Sequence, residues 1–427
     1  MNKNKDILII GFALFSMFFG AGNLIFPPFI GLTSGNQWLI SFLGFIFADV
    51  GIILLSIIAV AKSGSLQNVI GRAGKKFGLT LEVLMMLCLG PILVVPRTAA
   101  TTFEMSILPI FKNMNPVLFS IVFFSITLVL TIKPNKVMDI IGKFLTPILL
   151  ISLAVLIIKG IISPIGDLKE VNSNDLFITG LTQGYQTMDA LGIGGIVALV
   201  MTSFISKGYK EKSEIMSLTI KSALLACIGL TVVYGGLTFL GASSSNIYDS
   251  SISQTVLLIN ITHLILGNVG TIMLAIVVGF ACLTTAIGLT SVTGKYFEDV
   301  TNKKLKYKYV VVFICIFSAI ISNFGVDKII QVAVPILSLI YPVSIVLVVM
   351  NIFKNIFPHD VTFKGASYAT LLVSLLTVLN NLGFNIEIIQ KLPFSNLGLN
   401  WIVPAIIGGF LFTVIFKKKE DNSLYKN

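Results

Sequence analysis

Glycines next to polar side chains interrupt two apolar stretches of the sequence. The first stretch contains GAGN at residues 20–23, and the second contains GLTQGYQTMDA at residues 180–190. Glycine costs a helix about 1 kcal/mol relative to alanine, so a helix can open at these places at little cost. Open backbone exposes amides that can bind a carboxylate and carbonyls that can bind a cation. The alternative interpretation is a small-residue packing face with a simple kink.

Ionisable side chains also fall within apolar stretches, where a charge is costly and usually marks an ion path, a proton site or a buried pair. Asp189 ends the second glycine-containing run, and Arg97 is the only arginine inside an apolar stretch. Arg97 could contact an anionic ligand or form a structural or gating pair with Asp189 or Glu104. We favour the pair, because a ligand would first have to displace the existing partner. For Asp49, a packed structural role and a functional role are equally consistent with the sequence.

A third candidate site is the run Ala281-Cys282-Leu283-Thr284-Thr285. Two adjacent hydroxyls and the carbonyl one turn earlier are oxygen ligands of the kind that hard cations prefer. Taken alone, such hydroxyls usually bond to their own helix. Opposite a broken helix they would instead complete a Na⁺ site.

The composition places these residues in a membrane. Of the 427 residues, 55% are hydrophobic and 11% are charged, and the mean hydropathy is +0.96. A spanning helix uses about 20 apolar residues, so the chain accommodates roughly ten to thirteen spans. The net charge of +11 does not indicate nucleic-acid binding, because membrane proteins collect lysine in cytoplasmic loops.

The distribution of lysine supports about twelve spans. Alternate connections, counted from the N-terminus, hold most of the lysines, including Lys75 and Lys76, Lys303 and Lys304, and residues 417–419. This asymmetry predicts that both termini are cytoplasmic. The polar segment 242–260 ends in a weakly apolar stretch, which suggests a short helical cap over the external mouth.

The two glycine-containing runs lie in the first and sixth spans, at 7–30 and 176–204. Interrupted helices at matching places in two halves indicate an inverted-repeat transporter with its site between the repeats. We therefore predict one integral membrane domain, residues 1–427. The repeats would cover about 7–162 and 176–352, and two appended helices would lie within 366–416.

Two other classes of membrane protein fit less well. An enzyme would need clustered acids for Mg²⁺ or a His/Asp acid–base set, whereas the loops hold scattered acids such as Asp249 and Asp327. A channel would need a filter-like loop, and the sequence has none. The cysteines are isolated within apolar runs, so we expect no resident metal or cofactor.

Three motifs, in order along the chain, carry a family resemblance. They are GNLIFPP at 22–28, GPILVVPRTA at 90–99 with Phe103 and Glu104 following, and GYQTMDAL at 184–191. Together they resemble the bacterial branched-chain amino acid:cation symporter family over essentially the whole chain. That family is similar to the larger leucine-transporter-fold (amino acid-polyamine-organocation) group. The resemblance implies an all-α integral membrane protein with twelve spans, a five-plus-five inverted repeat, and broken helices one and six.

The resemblance also implies a function and a set of site residues. Members import leucine, isoleucine and valine together with a cation, usually Na⁺, across the bacterial cell membrane. The substrate carboxylate would meet the amides of Ala21 and Gly22, and its ammonium the carbonyls around Phe18 and the sixth span. The substrate-site residues would be Phe18, Ala21, Gly22, Asn23, Gly184, Tyr185, Thr187 and Met188, and the Na⁺ site would comprise Ser16, Phe19, Ala281, Thr284 and Thr285. A proton-coupled carrier in which Asp189 titrates is the alternative, and the sequence does not predict the oligomeric state.

Overall fold

The computed structural model describes residues 2–132 and 137–424, without the side chains of 137–148 and 417–424. Every regular element in these residues is a helix. The first nine α-helices are α1 Lys3–Phe18, α2 Ala21–Ser34, α3 Trp38–Ile46, α4 Ile52–Ser63, α5 Leu66–Ile70, α6 Lys75–Leu87, α7 Val94–Thr102, α8 Pro116–Ile132 and α9 Val137–Ile162. The others are α10 Leu176–Tyr185, α11 Ile193–Ser206, α12 Lys212–Ser243, α13 Gln254–Val300, α14 Tyr307–Ser322, α15 Val326–Ile352, α16 Asp360–Leu379, α17 Glu387–Lys391 and α18 Ile402–Leu424.

Seven helical stretches in the described residues are long and apolar enough to cross a membrane, and four shorter helices are also apolar. Large apolar side chains point outward on the peripheral helices, for example Val129 at 65% exposure and Val414 at 66%. A helix satisfies its own backbone hydrogen bonds in lipid, which explains why the regular elements of such an apolar chain are helices. The count of twelve spans and the cytoplasmic location of the termini stay predictions, and Lys417 to Lys419 lie outside the described side chains.

Short π-helical turns join several of these helices into longer rods. Phe47–Gly51 connects α3 to α4, and Cys88–Ile92 and Phe103–Ile107 flank α7. The 43-residue stretch from Ala21 to Ser63 is not a single rod, and it overlaps two spans that the sequence suggested, at 7–30 and 37–61. The division between them is a tight turn at Gly35, whose φ of +49° favours glycine.

The central helix α12 packs against both α1 and α2. Gly31 of α2 and Gly241 of α12 allow the closest approach, because a Cβ on Gly31 would lie 1.9 Å from the Thr238 carbonyl oxygen. A Cβ on Gly241 would lie 1.8 Å from the Pro28 carbonyl oxygen. Small residues at such a contact let two helix backbones pack directly, which is common between helices in membranes.

The segment expected as an external cap is helical from Gln254. A kink at Gly267, with φ +66°, separates this short helix from the long remainder of α13. Leu257, Leu258 and Ile261 are fully buried in the cap. The cap therefore packs onto the helix bundle through its apolar face.

At the other end of the chain, α16 packs against α15 and α18.

Candidate functional site

The first helix break lies at Phe19-Gly20. Helix α1 ends at Phe18, and both residues of the break have extended backbone, with φ/ψ of −81°/91° and −109°/−168°. Helix α2 then begins at Ala21, so Ala21, Gly22 and Asn23 form its first turn, whereas the sequence suggested that they lay inside the opening. The first amides of α2 and the last carbonyls of α1 lack partners within their helices. The two helix ends thus present opposite partial charges to one place.

Asn23 connects this break to two other parts of the bundle. Its side-chain oxygen accepts a hydrogen bond from the Gly20 amide at 3.0 Å. Its side-chain nitrogen donates to Asp189 Oδ2 at 2.7 Å and also to the Tyr234 hydroxyl of α12. Further along α2, Pro27 and Pro28 have no amide hydrogen. The carbonyls of residues 23 and 24 therefore lack their usual helical donors.

The second helix break covers residues 186–188. Helix α10 ends at Tyr185, Met188 adopts a left-handed conformation with φ +64°, and a 3₁₀ turn from Asp189 to Gly192 leads into α11. Gly180 and Gly184, which suggested the opening, lie inside α10. A Cβ on Gly180 would lie 1.8 Å from the Ser41 carbonyl oxygen, so this glycine allows close packing with α3.

Arg97 extends from α7 to both breaks and is only 2% exposed. Nη1 donates to the Gln186 carbonyl at 2.6 Å, and Nη2 donates to the Thr187 carbonyl at 3.5 Å. Its guanidinium also lies over the Phe26 ring, 5.3 Å from the ring centre. A Cβ built on Gly22 would be 2.9 Å from Nη2, which places the cation directly beside the first turn of α2.

The sequence suggested that Arg97 pairs with Asp189 or Glu104. In the described residues Arg97 has an electrostatic attraction to Asp189 but forms hydrogen bonds to backbone carbonyls. Glu104 lies at the other end of this rod, where it accepts bonds from the Thr255 hydroxyl at 2.5 Å and the Val326 amide at 2.9 Å. Glu104 thus caps the start of α15 and attaches the external cap to it.

Several buried polar atoms around the breaks have no hydrogen-bond partner within the part of the chain that the structure describes. They are Asp49 Oδ2, Arg97 Nε, the Tyr185 and Tyr341 hydroxyls, and both side-chain polar atoms of Gln186. The Tyr185 and Tyr341 rings stack with centroids 4.5 Å apart. Native proteins satisfy nearly all buried polar groups, so a concentration of unsatisfied ones indicates a place for a polar ligand.

Other predicted substrate-site residues line the same region. Phe18 and Met188 are buried, at 1% and 0% exposure, and Phe19 stacks between Phe15 and Tyr234. Thr187 donates to Asp49 Oδ1 at 2.8 Å. Sequence reasoning missed Tyr234 and Tyr341, because a tyrosine inside an apolar helix carries no spacing signal. The Tyr341-Pro342 pair within α15 was the one available hint.

The predicted Na⁺ residues lie on two elements. On α13 the Thr284 hydroxyl donates to the Ala281 carbonyl at 2.9 Å, and Thr284 and Thr285 are both half-buried. On α1 Ser16 is half-buried and Phe19 is buried at the break. A hydroxyl that donates to its own helix keeps oxygen lone pairs for a cation. The assignment of these residues to Na⁺ stays a prediction.

The protein resembles transporters of known fold. It is similar to Mhp1 in its inward-facing conformation, with a TM-score of 0.60 and 13% identity over 96% of this chain and 91% of that one. It is also similar to a substrate-bound, outward-open Na⁺-coupled sialic acid symporter, with a TM-score of 0.60 and 13% identity over 96% and 90% of the two chains. At these identities the similarity establishes the fold alone.

The sequence comparisons identify the family. Residues 3–419 match the family described as branched-chain amino acid transport protein. The chain is 35% identical to the branched-chain amino acid permease BraB of Bacillus subtilis, covering 98% of each protein. It is 32% identical to the permease BrnQ of Salmonella typhimurium, covering 95% of this chain and 94% of that one. The chain is therefore a membrane transporter, not an enzyme, and it belongs to the branched-chain amino acid transport protein family.

Proposed function

We propose that this protein imports leucine, isoleucine and valine by symport with Na⁺. The observation that carries the proposal is the set of unsatisfied buried polar atoms between two helix breaks. A ligand that carries both a positive and a negative group can use the opposite partial charges of the two helix ends. The names of the related permeases BraB and BrnQ support branched-chain amino acids as the substrates.

The substrate carboxylate would bind the amides of Ala21 and Gly22 at the start of α2. Arg97 supports this orientation, because its buried guanidinium lies beside Gly22 and its Nε has no partner among the described residues. The ammonium would bind carbonyls at the end of α1, around Phe18, and at the second break. This arrangement places each charge of the substrate against the opposite end of a helix.

The apolar side chain would lie against Phe18, Tyr185 and Met188, all of which are buried. One methylene in such a pocket is worth only about 1–3 kcal/mol. We therefore expect leucine, isoleucine and valine to compete with one another with modest differences in KM. Asn23, Gly184 and Thr187 would position the two breaks around the substrate.

Na⁺ would bind between the Ala281 carbonyl and the Thr284 and Thr285 hydroxyls on α13, and carbonyls near Ser16 and Phe19. Oxygen ligands and the negative end of α1 support a hard cation there. Proton coupling is the second candidate, and the half-buried Asp189 carboxylate favours it. We further propose the five-plus-five inverted repeat, twelve spans, and cytoplasmic termini in the bacterial cell membrane.

Leucine uptake into proteoliposomes tests the proposal. An inward Na⁺ gradient should drive concentrative uptake, and replacing external Na⁺ with choline at constant pH should abolish it. Undiminished uptake in choline would exclude sodium coupling and favour the proton. In Thr285→Ala the Na⁺ dependence should be lost, whereas Thr231→Ala is the matched control because the Thr231 hydroxyl bonds to its own helix at the Cys227 carbonyl.

A further inference from the structure

Asp49 is a buried acid that the proposed substrate and sodium sites do not use. It lies in the π-helical turn between α3 and α4 and is 1% exposed. One carboxylate oxygen accepts the hydrogen bond from Thr187, and the other makes no direct hydrogen bond within the described residues, although the Tyr234 hydroxyl interacts with this carboxylate. A buried carboxylate in a membrane segment is costly and marks an ion path more often than a packing position.

The charges around the two breaks do not balance. When both carboxyl groups are ionised, Asp49 and Asp189 carry two negative charges, while Arg97 carries one positive charge and interacts with Asp189. Within residues 2–132 and 149–416, where side chains are described, no lysine, arginine or histidine forms an ion pair with Asp49. Buried charges require a paired or coordinated partner, so one further positive charge fits here.

Both carboxylates lie next to the second break. Asp49 contacts Thr187, which precedes Asp189 by two residues, and the two acids repel each other electrostatically. Tyr234 lies between them: it interacts with both acids, and its hydroxyl is bonded to the Asn23 amide that also donates to Asp189. This brings together carboxylate and hydroxyl oxygens, the ligands that a hard cation prefers.

We propose that Asp49 and Asp189 bind a Na⁺ ion beside the second break, in addition to the ion proposed at α13. The inference rests on the proposed sodium symport and deepens it by assigning a second cation site. The bound cation supplies the missing positive charge. It also links the π-helical turn between α3 and α4 to the backbone that would contact the substrate.

Thr187 couples the proposed cation site to the substrate site through its hydrogen bonds. Its single hydroxyl proton has two acceptors, Asp49 Oδ1 and the Gly184 carbonyl, each at 2.8 Å. A cation on Asp49 weakens that carboxylate as an acceptor, so the proton turns toward Gly184. Cation binding thereby changes a hydrogen bond within the last turn of α10, directly before the second break.

The test measures radiolabelled Na⁺ and leucine uptake together in proteoliposomes. In Asp49→Asn the Na⁺:leucine ratio should fall by about half, because the cation at Asp49 and Asp189 is lost while the cation proposed at α13 remains. Leucine counterflow, measured in parallel, shows whether the variant is folded and still binds substrate. Glu82→Gln is the matched control, since Glu82 is a buried acid of α6 that accepts a bond from Gln67. Its Na⁺:leucine ratio should equal that of the wild type.

An unchanged ratio in Asp49→Asn would overturn the inference while leaving the proposed symport intact. Wild-type leucine uptake without Na⁺ flux would instead refute the proposed symport itself. If Asp49→Asn does not fold, Thr187→Val provides the second variant, because it keeps the Asp49 charge and removes one hydroxyl. The Na⁺ concentration for half-maximal uptake should then fall about tenfold, because a charge-assisted hydrogen bond that competes with the cation for Asp49 is lost. An unchanged value in Thr187→Val would contradict the proposed site.

Discussion

The Asn23 side chain of α2 donates a hydrogen bond to Asp189 Oδ2 at 2.7 Å, across 166 positions of sequence. The Asn23 side-chain oxygen accepts a hydrogen bond from the Gly20 amide, and its side-chain nitrogen also donates to the Tyr234 hydroxyl. One side chain thus joins the first break, the second break and the central helix α12. A rearrangement of either break must change the environment of the other.

Replacing Asn23 with alanine should impair transport strongly. The change leaves the Gly20 amide and the Asp189 carboxylate without their partner, at a cost of about 1–3 kcal/mol for each buried group. We expect leucine uptake at low substrate concentration to fall at least about tenfold. Thr33→Ala is a control on the same helix, because the Thr33 hydroxyl bonds only to carbonyls of α2. Comparable losses in both variants would argue against a special role for Asn23.

Replacing Arg97 with lysine should raise KM for leucine about tenfold or more. A lysine ammonium lacks the planar fork that donates to two carbonyls and also places Nη2 beside Gly22, so the loss corresponds to about one charge-assisted hydrogen bond. The other arginine of the chain gives the matched control. Arg72 binds Asp360 at 2.7 Å in a contact far from the breaks, and Arg72→Lys should leave KM unchanged. An unaltered KM in Arg97→Lys would show that Arg97 serves structure alone.

Replacing Gly22 with alanine should abolish uptake while the protein still folds. The new methyl group would lie 2.9 Å from Arg97 Nη2 and 2.7 Å from the Phe26 ring, so it displaces the guanidinium from the start of α2. Gly288→Ala on α13 is the control, because nothing lies within 4 Å of its added Cβ. That change should raise stability by about 0.5–1 kcal/mol, the usual preference for alanine in a helix. Wild-type uptake by Gly22→Ala would contradict the placement of the carboxylate site.

Breaking the contact between α1 and the segment after α11 should make local opening of α1 more frequent. Asp6 binds the Lys207 ammonium at 2.8 Å and the Tyr209 hydroxyl at 2.9 Å. In Asp6→Asn we expect faster amide hydrogen exchange in α1, because the charged partner is lost. Glu387→Gln breaks an exposed pair with Lys391 on α17 and is the control. It should leave exchange in α1 unchanged.

The same contact predicts a pH dependence of α1. The hydrogen bond from Lys207, followed by that from Tyr209, lowers the pKa of Asp6 below its ordinary value of 3.8. A lowered pKa means that the contact stabilises the folded protein above pH 3.8 and weakens only as the pH falls through the lower folded-state value. The protection that this contact gives to α1 should therefore stay constant between neutral pH and about pH 5. Loss of protection near pH 6 would show that another group controls α1.

The sequence alone predicted a lipid environment and an all-helical class, and its GAGN run at 20–23 lies beside Phe19-Gly20, where α1 ends and α2 begins. Apolar composition requires lipid, lipid requires helices, and the glycines beside Asn23 marked where one helix opens. The second break was located less well. Gly180 and Gly184 suggested a helix opening, but they instead allow α10 to pack closely against α3. The two helices are about 140 residues apart in the chain, and local sequence does not encode such a contact.

Only the tertiary structure decided which polar groups meet. The polar groups of the site come from five different parts of the chain, and no regular spacing in the sequence relates them. They belong to Asp49, Arg97, Gln186, Tyr234 and Tyr341. Their partners depend on how α7, α12 and α15 pack around the breaks, which is set by many small van der Waals contacts between distant helices. The sequence therefore determined that a polar site exists within the membrane, and the packing of the helices determined its charge and composition.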